Sequence, residues 1–344
     1  MDTAVRTRRA ATGGNREAGR RGRRWGPISC GVLLAMLSVL LMVRLTGLDA
    51  GTPLAVPVVL FPYAAVISVL ALVTVIAVPA LRSRWPVIGA ALLAAAYVVL
   101  LVPRFVAHDQ PHIPAQAPQL RVATLNSHVG GEDARALVRL VESERIDVLA
   151  VQELTSAGIA ALAEAGLDKV LPHQELQPQH DSSLYSRLPL TRGGPLEADT
   201  AWPQTTAEVT VGGRTVRLVA VHTYYPLGDA QRWTRDMTAL TAVARDSGPD
   251  TVFLGDFNAT VDHAPMRDLL TSGGLTDTHA ELGEGWARTW PANKSLLPPL
   301  VHLDHVVHGS GLAGLSAGER TVPGTDHRAV VATLALLPTG ERAR

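Results

Sequence analysis

The spacing of apolar positions divides the chain near residue 104. Before it lie three long apolar runs, roughly Pro27 to Val43, Val56 to Leu81 and Pro86 to Val102, each near the length an α-helix needs to cross a bilayer. After it, apolar and polar positions alternate with short periods. Arg121 to Leu125 reads as a strand ending at Asn126, and Asp147 to Val151 as a buried strand ending at Gln152-Glu153. Between them, Glu132 to Glu144 places Ala136, Leu137, Leu140 and Val141 on one helical face, and a further helix begins at Thr155 with a Thr-Ser cap. Ser182 to Ser186 is a short strand. Ala207 to Val211 and Thr215 to Val221 flank Gly212-Gly213-Arg214, a hairpin signal because glycines supply the positive φ angles of a tight turn. Asp229 to Arg245 is helical, Thr251 to Leu254 is a core strand, and His302 to Val307 and Arg328 to Leu336 close the pattern as strands. Helices alternate with strands early and hairpins dominate later, which predicts a layered α/β sandwich with mixed sheets.

Charge sharpens the division. Twelve of the 31 basic residues precede residue 105, against only Asp2, Glu17 and Asp49 of the 31 acidic ones, so the C-terminal part carries 19 bases and 28 acids, a net of −9. That balance offers no long-range attraction to a polyanion and argues against a domain built to grip duplex nucleic acid unaided. All 12 histidines also lie after residue 104, and Cys30 is the sole cysteine, so no intrachain disulfide forms. Eight arginines precede the first apolar run, while Arg82 and Arg84 separate the second from the third, and Trp25 and Trp85 sit at the interfaces. Positive charge stays inside, which predicts a multi-pass protein of the cell membrane with a cytoplasmic N-terminus and an extracytoplasmic C-terminal domain. The first run also has the character of a signal peptide; two further spans favour an uncleaved anchor. The expected plan is a disordered basic tail over 1–24, a three-helix transmembrane anchor over 25–104, and a stiff Pro-rich linker over 105–119. A folded domain over 120–337 and a tail over 338–344 complete it.

The candidate chemistry centres on Gly255-Asp-Phe-Asn258. On an extended backbone residues two apart point the same way, so Asp256 and Asn258 can face one oxyanion; alone, the pair would read as a turn that ends a strand. The arrangement recurs. Asn126, Glu153 and His222 stand at or near other strand ends, Asp304 lies in a strand, and Asp326-His327 precedes the last one. This inventory suits metal-assisted phosphoester hydrolysis: hard oxygen ligands hold Mg²⁺ or Mn²⁺, and a histidine paired with a carboxylate positions and activates water.

Taken in order, Ala123-Thr-Leu-Asn126, Val151-Gln-Glu153, Val221-His222, Gly255-Asp-Phe-Asn258, Leu303-Asp304-His-Val-Val and Thr325-Asp-His327 resemble the motifs of the endonuclease/exonuclease/phosphatase superfamily, over about Arg121 to Leu334. The resemblance implies a four-layer α/β sandwich, two packed mixed sheets flanked by helices. It implies Glu153 as principal metal ligand with Asn126 and Asp326 beside it, and Asp256 orienting or deprotonating the attacking water. It further implies Asn258 on the scissile phosphate, Asp304 paired with His327, and His222 at a phosphate or leaving group. Where some members carry an acid two residues after the first asparagine, this chain has His128. The whole chain resembles membrane-anchored actinobacterial members, some associated with resistance to teicoplanin-type glycopeptides.

The expected function is therefore a membrane-anchored, extracytoplasmic, metal-dependent phosphatase or phosphodiesterase. Its partners would be the lipid bilayer and a phosphoester, such as a lipid-linked envelope intermediate, with nucleic acid only as substrate and no obligate protein partner. Two other readings are an extracellular nuclease and a catalytically silent envelope-binding module. Around this set, Trp290, Tyr224 and Tyr225 read as site rim or packing, and Asp277 and His279 as a local cap. His108, His112, His173, His180 and His263 read as solvated surface. The His302, His305 and His308 group lacks the cysteines or helical spacing of a zinc site.

Overall fold

The computed structural model describes residues 14–177, 182–293 and 297–338. Four helices come first: α1 (Gly14–Thr46), the short α2 (Ala55–Val58), α3 (Phe61–Ala77) and α4 (Arg84–Leu101). There follow β1 (Gln119–Asn126), α5 (Ala134–Ser143), β2 (Val148–Gln152), α6 (Ser156–Ala165), α7 (Leu167–Val170), β3 (His173–Glu175), β4 (Ser183–Ser186), β5 (Thr191–Pro195), β6 (Thr205–Val211) and β7 (Arg214–His222). The remainder is α8 (Pro226–Asp246), β8 (Thr251–Asp256), α9 (Ala264–Thr271), β9 (Thr276–Asp277), α10 (Thr278–Glu281), β10 (Asp304–His308), β11 (Leu312–Thr321) and β12 (Arg328–Leu336).

Packing separates two units, residues 1–42 with 61–101, and residues 43–60 with 102–344. In the first, Leu37, Leu41, Phe61, Ala64, Ala65, Tyr97 and Leu101 form a core, and the buried Tyr97 hydroxyl donates to Leu37 O at 2.8 Å. Its outer surface stays apolar: Met36, Leu70, Leu92 and Val99 are all more than half exposed. Among the described residues, two helical stretches are long and apolar enough to cross a membrane, Gly26–Thr46 and Arg84–Phe105; the first lies near the N-terminus, where a signal sequence has the same character. The second expected span does not reach that length. Its helix α3 is only 17 residues, because the prolines break the run: Pro57 lies in the separate four-residue helix α2, Pro62 sits in the first turn of α3, and Pro79 opens a 3₁₀ turn. The three-span anchor is thus corrected to two helices of spanning length and one shorter apolar helix. The part of the expected basic tail from Gly14 onward belongs to α1; residues 1–13 lie outside the described ones.

The second unit is an α/β sandwich of two mixed six-stranded sheets, ordered β11-β12-β1-β2-β4-β3 and β5-β6-β7-β8-β10-β9. Strand parity builds its layers. Leu120, Val122, Val148 and Ala150 of one sheet meet Val216, Leu218, Val252 and Leu254 of the other in a core between them. The opposite parity of the first sheet, with Ala123, Leu125, Leu149 and Val151, packs on α5 and α6 through Leu137, Val141 and Leu162. Val219, Val221, Phe253 and Val307 do the same for the second, against Trp233, Met237 and Leu240 of α8 and Met266 and Leu269 of α9. Asp133 and Thr155 cap their helices, accepting from Ala136 N and Gly158 N, each cap worth about 1 kcal/mol.

Residues 43–60 pack with this unit, although the sequence assigns them to the anchor. Gly51 N donates to Thr234 Oγ1, Ala264 N to Asp49 Oδ2, and His263 Nε2 bonds Ala55 O. The fully buried Asp262 carboxylate accepts from Arg44 Nε at 2.8 Å and from both Arg104 terminal nitrogens. His263, expected on the surface, is buried for the same reason. The Pro-rich segment 105–119 stays largely exposed but is tied down by hydrogen bonds. His108 N donates to Glu281 O, Gln110 Nε2 to Gly314 O, and Leu336 N to Pro118 O, which satisfies backbone groups that a bare linker would leave to water.

Candidate active site

The alternation that buries Val252 and Leu254 between the sheets carries Asp256 to the same side at the end of β8. In the parallel pairing of β7 with β8 His222 stands opposite Asp256, and in the antiparallel pairing of β8 with β10 Asp304 does. Three side chains on adjacent strands therefore converge because their register is fixed. Asn126 arrives by the same parity at the end of β1, where Gln152 of β2 is its neighbour. Gly255 permits the crowding: a Cβ there would lie 1.9 Å from Val221 O, at a φ of 156°.

A continuous hydrogen-bond network joins the two sheets. Asn126 Nδ2 donates to Glu153 Oε1 at 3.1 Å and to Asp256 Oδ2 at 3.0 Å. Its Oδ1 accepts from His128 N, and Glu153 Oε2 accepts from Val129 N. As arranged, Asn126 bridges two carboxylates through its amide nitrogen. Asp256 Oδ1 accepts from Asn258 N at 2.8 Å, and Asn258 Nδ2 donates to Thr223 O at 3.1 Å, which fixes the amide plane. His327 Nδ1 lies 2.8 Å from Asp304 Oδ2, while its Nε2 is 3.8 Å from Asp256 Oδ2. Thr289 Oγ1 accepts from Asp304 N, and Thr325 Oγ1 ties the last segment to β1 by donating to Asn126 O. Glu153, Asn258, His128 and Val129 all hold positive φ between 47° and 58°, a left-handed backbone costing non-glycine residues about 1–3 kcal/mol each. The surrounding network supports that strain.

Electrostatics follow from burial. Burial raises Asp256 above the ordinary carboxylate range, Asp304 adds to it, and His327, His222 and the Asn258 N–H partly offset it. Burial pulls His327 down, but the Asp304 and Asp256 carboxylates more than offset this and lift it to about 10. At neutral pH His327 is an imidazolium held by Asp304 and facing Asp256.

Twelve of the described residues line the cleft, of about 380 Å³, and among them are Asn126, Glu153, His222, Asp256, Asn258, Asp326 and His327. Asp304 lies behind them, fully buried. The structure thus gathers the eight residues that the sequence named as catalytic or metal-binding. A slightly larger depression of about 410 Å³ at the opposite end of β8 is lined by neither acids nor histidines, so size alone does not mark the site.

Trp202 and Gln204 join unannounced, beside His128, Trp290, Tyr224 and Tyr225, which the sequence had already brought into question. Trp202 stacks on His222 with ring centroids 4.5 Å apart, and Gln204 brackets His222 by accepting from its N and donating to its O. His128 Nδ1 lies 3.0 Å from Asp326 Oδ1, and Trp290 Nε1 donates to Asp326 Oδ2 at 3.1 Å. Tyr224 and Tyr225, stacked at 4.7 Å, form an aromatic wall of the cleft, and Tyr224 also packs on the core beneath it. Trp202 and Gln204 lie in an aperiodic stretch that carries no sequence signal. Asp277 caps α10 and bonds His305, away from the cleft.

The site's donors suit a hard divalent cation. Glu153 and Asp326 bring carboxylates to the open cleft, and Asp304 Oδ1 is buried without a hydrogen-bond partner. Asp256, Asp304 and His327 also each bring one ligand-type atom within 4.8 Å of the others. In that trio, however, the bond to Asp304 occupies His327 Nδ1, so it reads as a dyad facing a third acid.

The sequence profile of the Endonuclease/Exonuclease/phosphatase family matches residues 123–327, from the strand before Asn126 to His327. The chain belongs to this family. Members of the family are phosphoester hydrolases. D. rerio TDP2 in complex with a single-strand DNA product is similar at a TM-score of 0.53 and 17% identity, over 63% of this chain and 98% of that one. A family protein from Bacteroides thetaiotaomicron is similar at 0.52 and 13% identity, over 69% and 100%. Truncated Caenorhabditis elegans TDP2 is similar at 0.51 and 16%, over 63% and 98%. At such identities the likeness is one of fold. No protein of curated function matches the sequence.

Proposed function

We propose that the chain is a metal-dependent phosphoester hydrolase held at the extracytoplasmic face of a membrane. The observation that carries the chemistry is the Asp304–His327 dyad aimed at Asp256 beside Asn258, with Glu153 and Asp326 on the same cleft. Glu153 and Asp326 would hold Mg²⁺ or Mn²⁺, with Asn126 fixing Glu153. When bound, the cation neutralises charge on the phosphoryl oxygens and polarises the ester. Asp256, raised by burial, accepts the proton of the attacking water. The His327 imidazolium and the free N–H of Asn258 stabilise negative charge as it builds on the phosphoryl oxygens. His222, held between Trp202 and Gln204, faces the leaving group from the other side of Asp256.

The membrane placement rests on two spanning-length helices whose outer faces are apolar, and on arginines before the first apolar run and between the later ones. An exposed apolar surface of that kind is costly in water and stable in lipid. The association with glycopeptide resistance rests on sequence resemblance alone. A topology reporter fused after Arg344 tests the placement: activity on the extracytoplasmic side is expected, and activity confined to the cytoplasm overturns it. For the chemistry, the full chain in detergent is assayed against aryl phosphoesters, plasmid DNA and lipid phosphates with and without Mg²⁺. Hydrolysis of a phosphoester only with the cation is expected. Turnover on DNA alone would favour the nuclease reading, and none on any substrate would favour a binding module.

A further inference from the structure

Beside the catalytic cleft, within the same unit, lies a trough of about 340 Å³ that shares Tyr225, Asn258, Trp290 and His327 with it. Its remaining walls, which include Val56, Val59, Leu227, Val301 and Leu303, are entirely apolar. Leu227 is 75% exposed, so a large side chain stands in solvent where it gains from an apolar ligand.

We infer that this trough takes the hydrocarbon chain of an amphiphilic phosphoester, whose phosphoryl group then lies at Asn258 and His327. The inference rests on the phosphoester-hydrolase reading and names its substrate class. Three observations single out this occupant. First, the trough is continuous with the cleft through four residues, two of which belong to the proposed machinery. Second, one wall comes from the 43–60 segment, which the chain continues directly into the apolar helix starting at Phe61. That wall is pinned: Ala55 O bonds His263 Nε2, and Asp49 Oδ2 accepts from Ala264 N, only five and six residues beyond Asn258. Third, among the described residues the lining includes no cationic side chain beyond the shared His327, so those walls offer a nucleic-acid backbone little to pair with. A hydrocarbon chain needs only the apolar walls.

The test uses the full chain in detergent and p-nitrophenyl alkyl phosphates from methyl to dodecyl. kcat/KM is expected to rise with chain length until the trough is filled, by up to roughly fourfold per methylene buried. Leu227→Asn and Val59→Asn, neutral changes outside the machinery, should flatten that rise while leaving the methyl ester within about twofold of wild type. Chain-length dependence that survives both variants, or an equal fall on methyl and dodecyl esters, would overturn the inference. A second readout needs no turnover. Dodecyl phosphonate with a terminal diazirine is expected to label Val56, Val59, Leu227 or Leu303, with competition by unlabelled dodecyl phosphonate and none by methyl phosphonate. Labelling confined to α1, α3 and α4, or equal competition by a short oligonucleotide, would overturn it. Absent hydrolysis of every ester would sink the hydrolase reading, whereas the labelling still decides the trough.

Discussion

Replacing Asp262 by alanine tests the joint that fixes residues 43–60 and Arg104 to the α/β sandwich. The carboxylate is fully buried and lies between Arg44 and Arg104, whose side chains are each only 11% exposed. Burial pushes Asp262 up, but the two guanidiniums outweigh it and hold the carboxyl below its ordinary range. Alanine leaves two nearly buried cations facing each other, a loss of about 3–5 kcal/mol for broken buried pairs. Residual solvent contact favours the lower end, about 3 kcal/mol. For a unit of about 260 residues, the unfolding entropy of about 2.1 cal/mol/K per residue turns this into a fall of about 5–6 °C in Tm. Scanning fluorimetry of the full chain in detergent measures it. The sign with pH also follows. A depressed folded pKa gives stability that is present above the unfolded value of 3.8 and lost as pH falls through the folded one. The gap between wild type and variant should therefore be flat from pH 5 to 8 and close only below about pH 4. Replacing all three charges with Met, Met and Leu should recover most of the loss, because no buried charge is then stranded. A single variant that melts within about 1 °C of wild type would refute the reasoning.

Glu132 offers a second pH test: burial lifts it to about 7 and neither carboxylate oxygen has a hydrogen-bond partner. A raised carboxyl contributes stability present below its unfolded value and lost as pH rises through the folded one, so Glu132→Gln should stabilise by about 3 kcal/mol at pH 8 and by nothing near pH 4 in denaturant titrations. Trp290→Phe removes the indole N–H from Asp326 and should raise the Mg²⁺ concentration for half-maximal activity about 10–100-fold with little change in kcat at saturation. Asp304→Asn removes the anion that holds His327 and should lower kcat about a hundredfold or more while the melting curve shows a folded protein.

The strands that carry the candidate site were legible because period two governs both burial and the placing of polar ends. The rhythm that marks Val252 and Leu254 as core also aims Asp256 into the same space, and the same holds for Asn126 after Val122 and for His222 after Leu218. Thr155 was legible as a cap because its partner, Gly158 N, is three residues away. What stayed hidden depends on partners distant in sequence. Asp49 and Arg44 fall within the expected anchor until Ala264 N and Asp262 supply their bonds. The strand β11 is masked by Gly314, Ser316 and Gly318, which are poor β-formers held by pairing with β12. Trp202 and Gln204 act on His222 from an irregular stretch, where no period exists to read. The apolar run around Pro57 looked like bilayer-spanning sequence, yet part of it is a wall of the α/β unit.

The central claim is that Asp256, His327 and Glu153 form one metal-dependent hydrolytic site. Its most direct test is the rate of phosphoester hydrolysis by the purified full chain, with Mg²⁺ and with chelator, for wild type, Asp256→Ala, His327→Ala and Glu153→Gln. The account predicts cation-dependent turnover in wild type, a loss of about a thousandfold or more in both alanine variants at unchanged Tm, and weakened Mg²⁺ dependence in Glu153→Gln. Turnover indifferent to chelator, or alanine variants as fast as wild type, would contradict it.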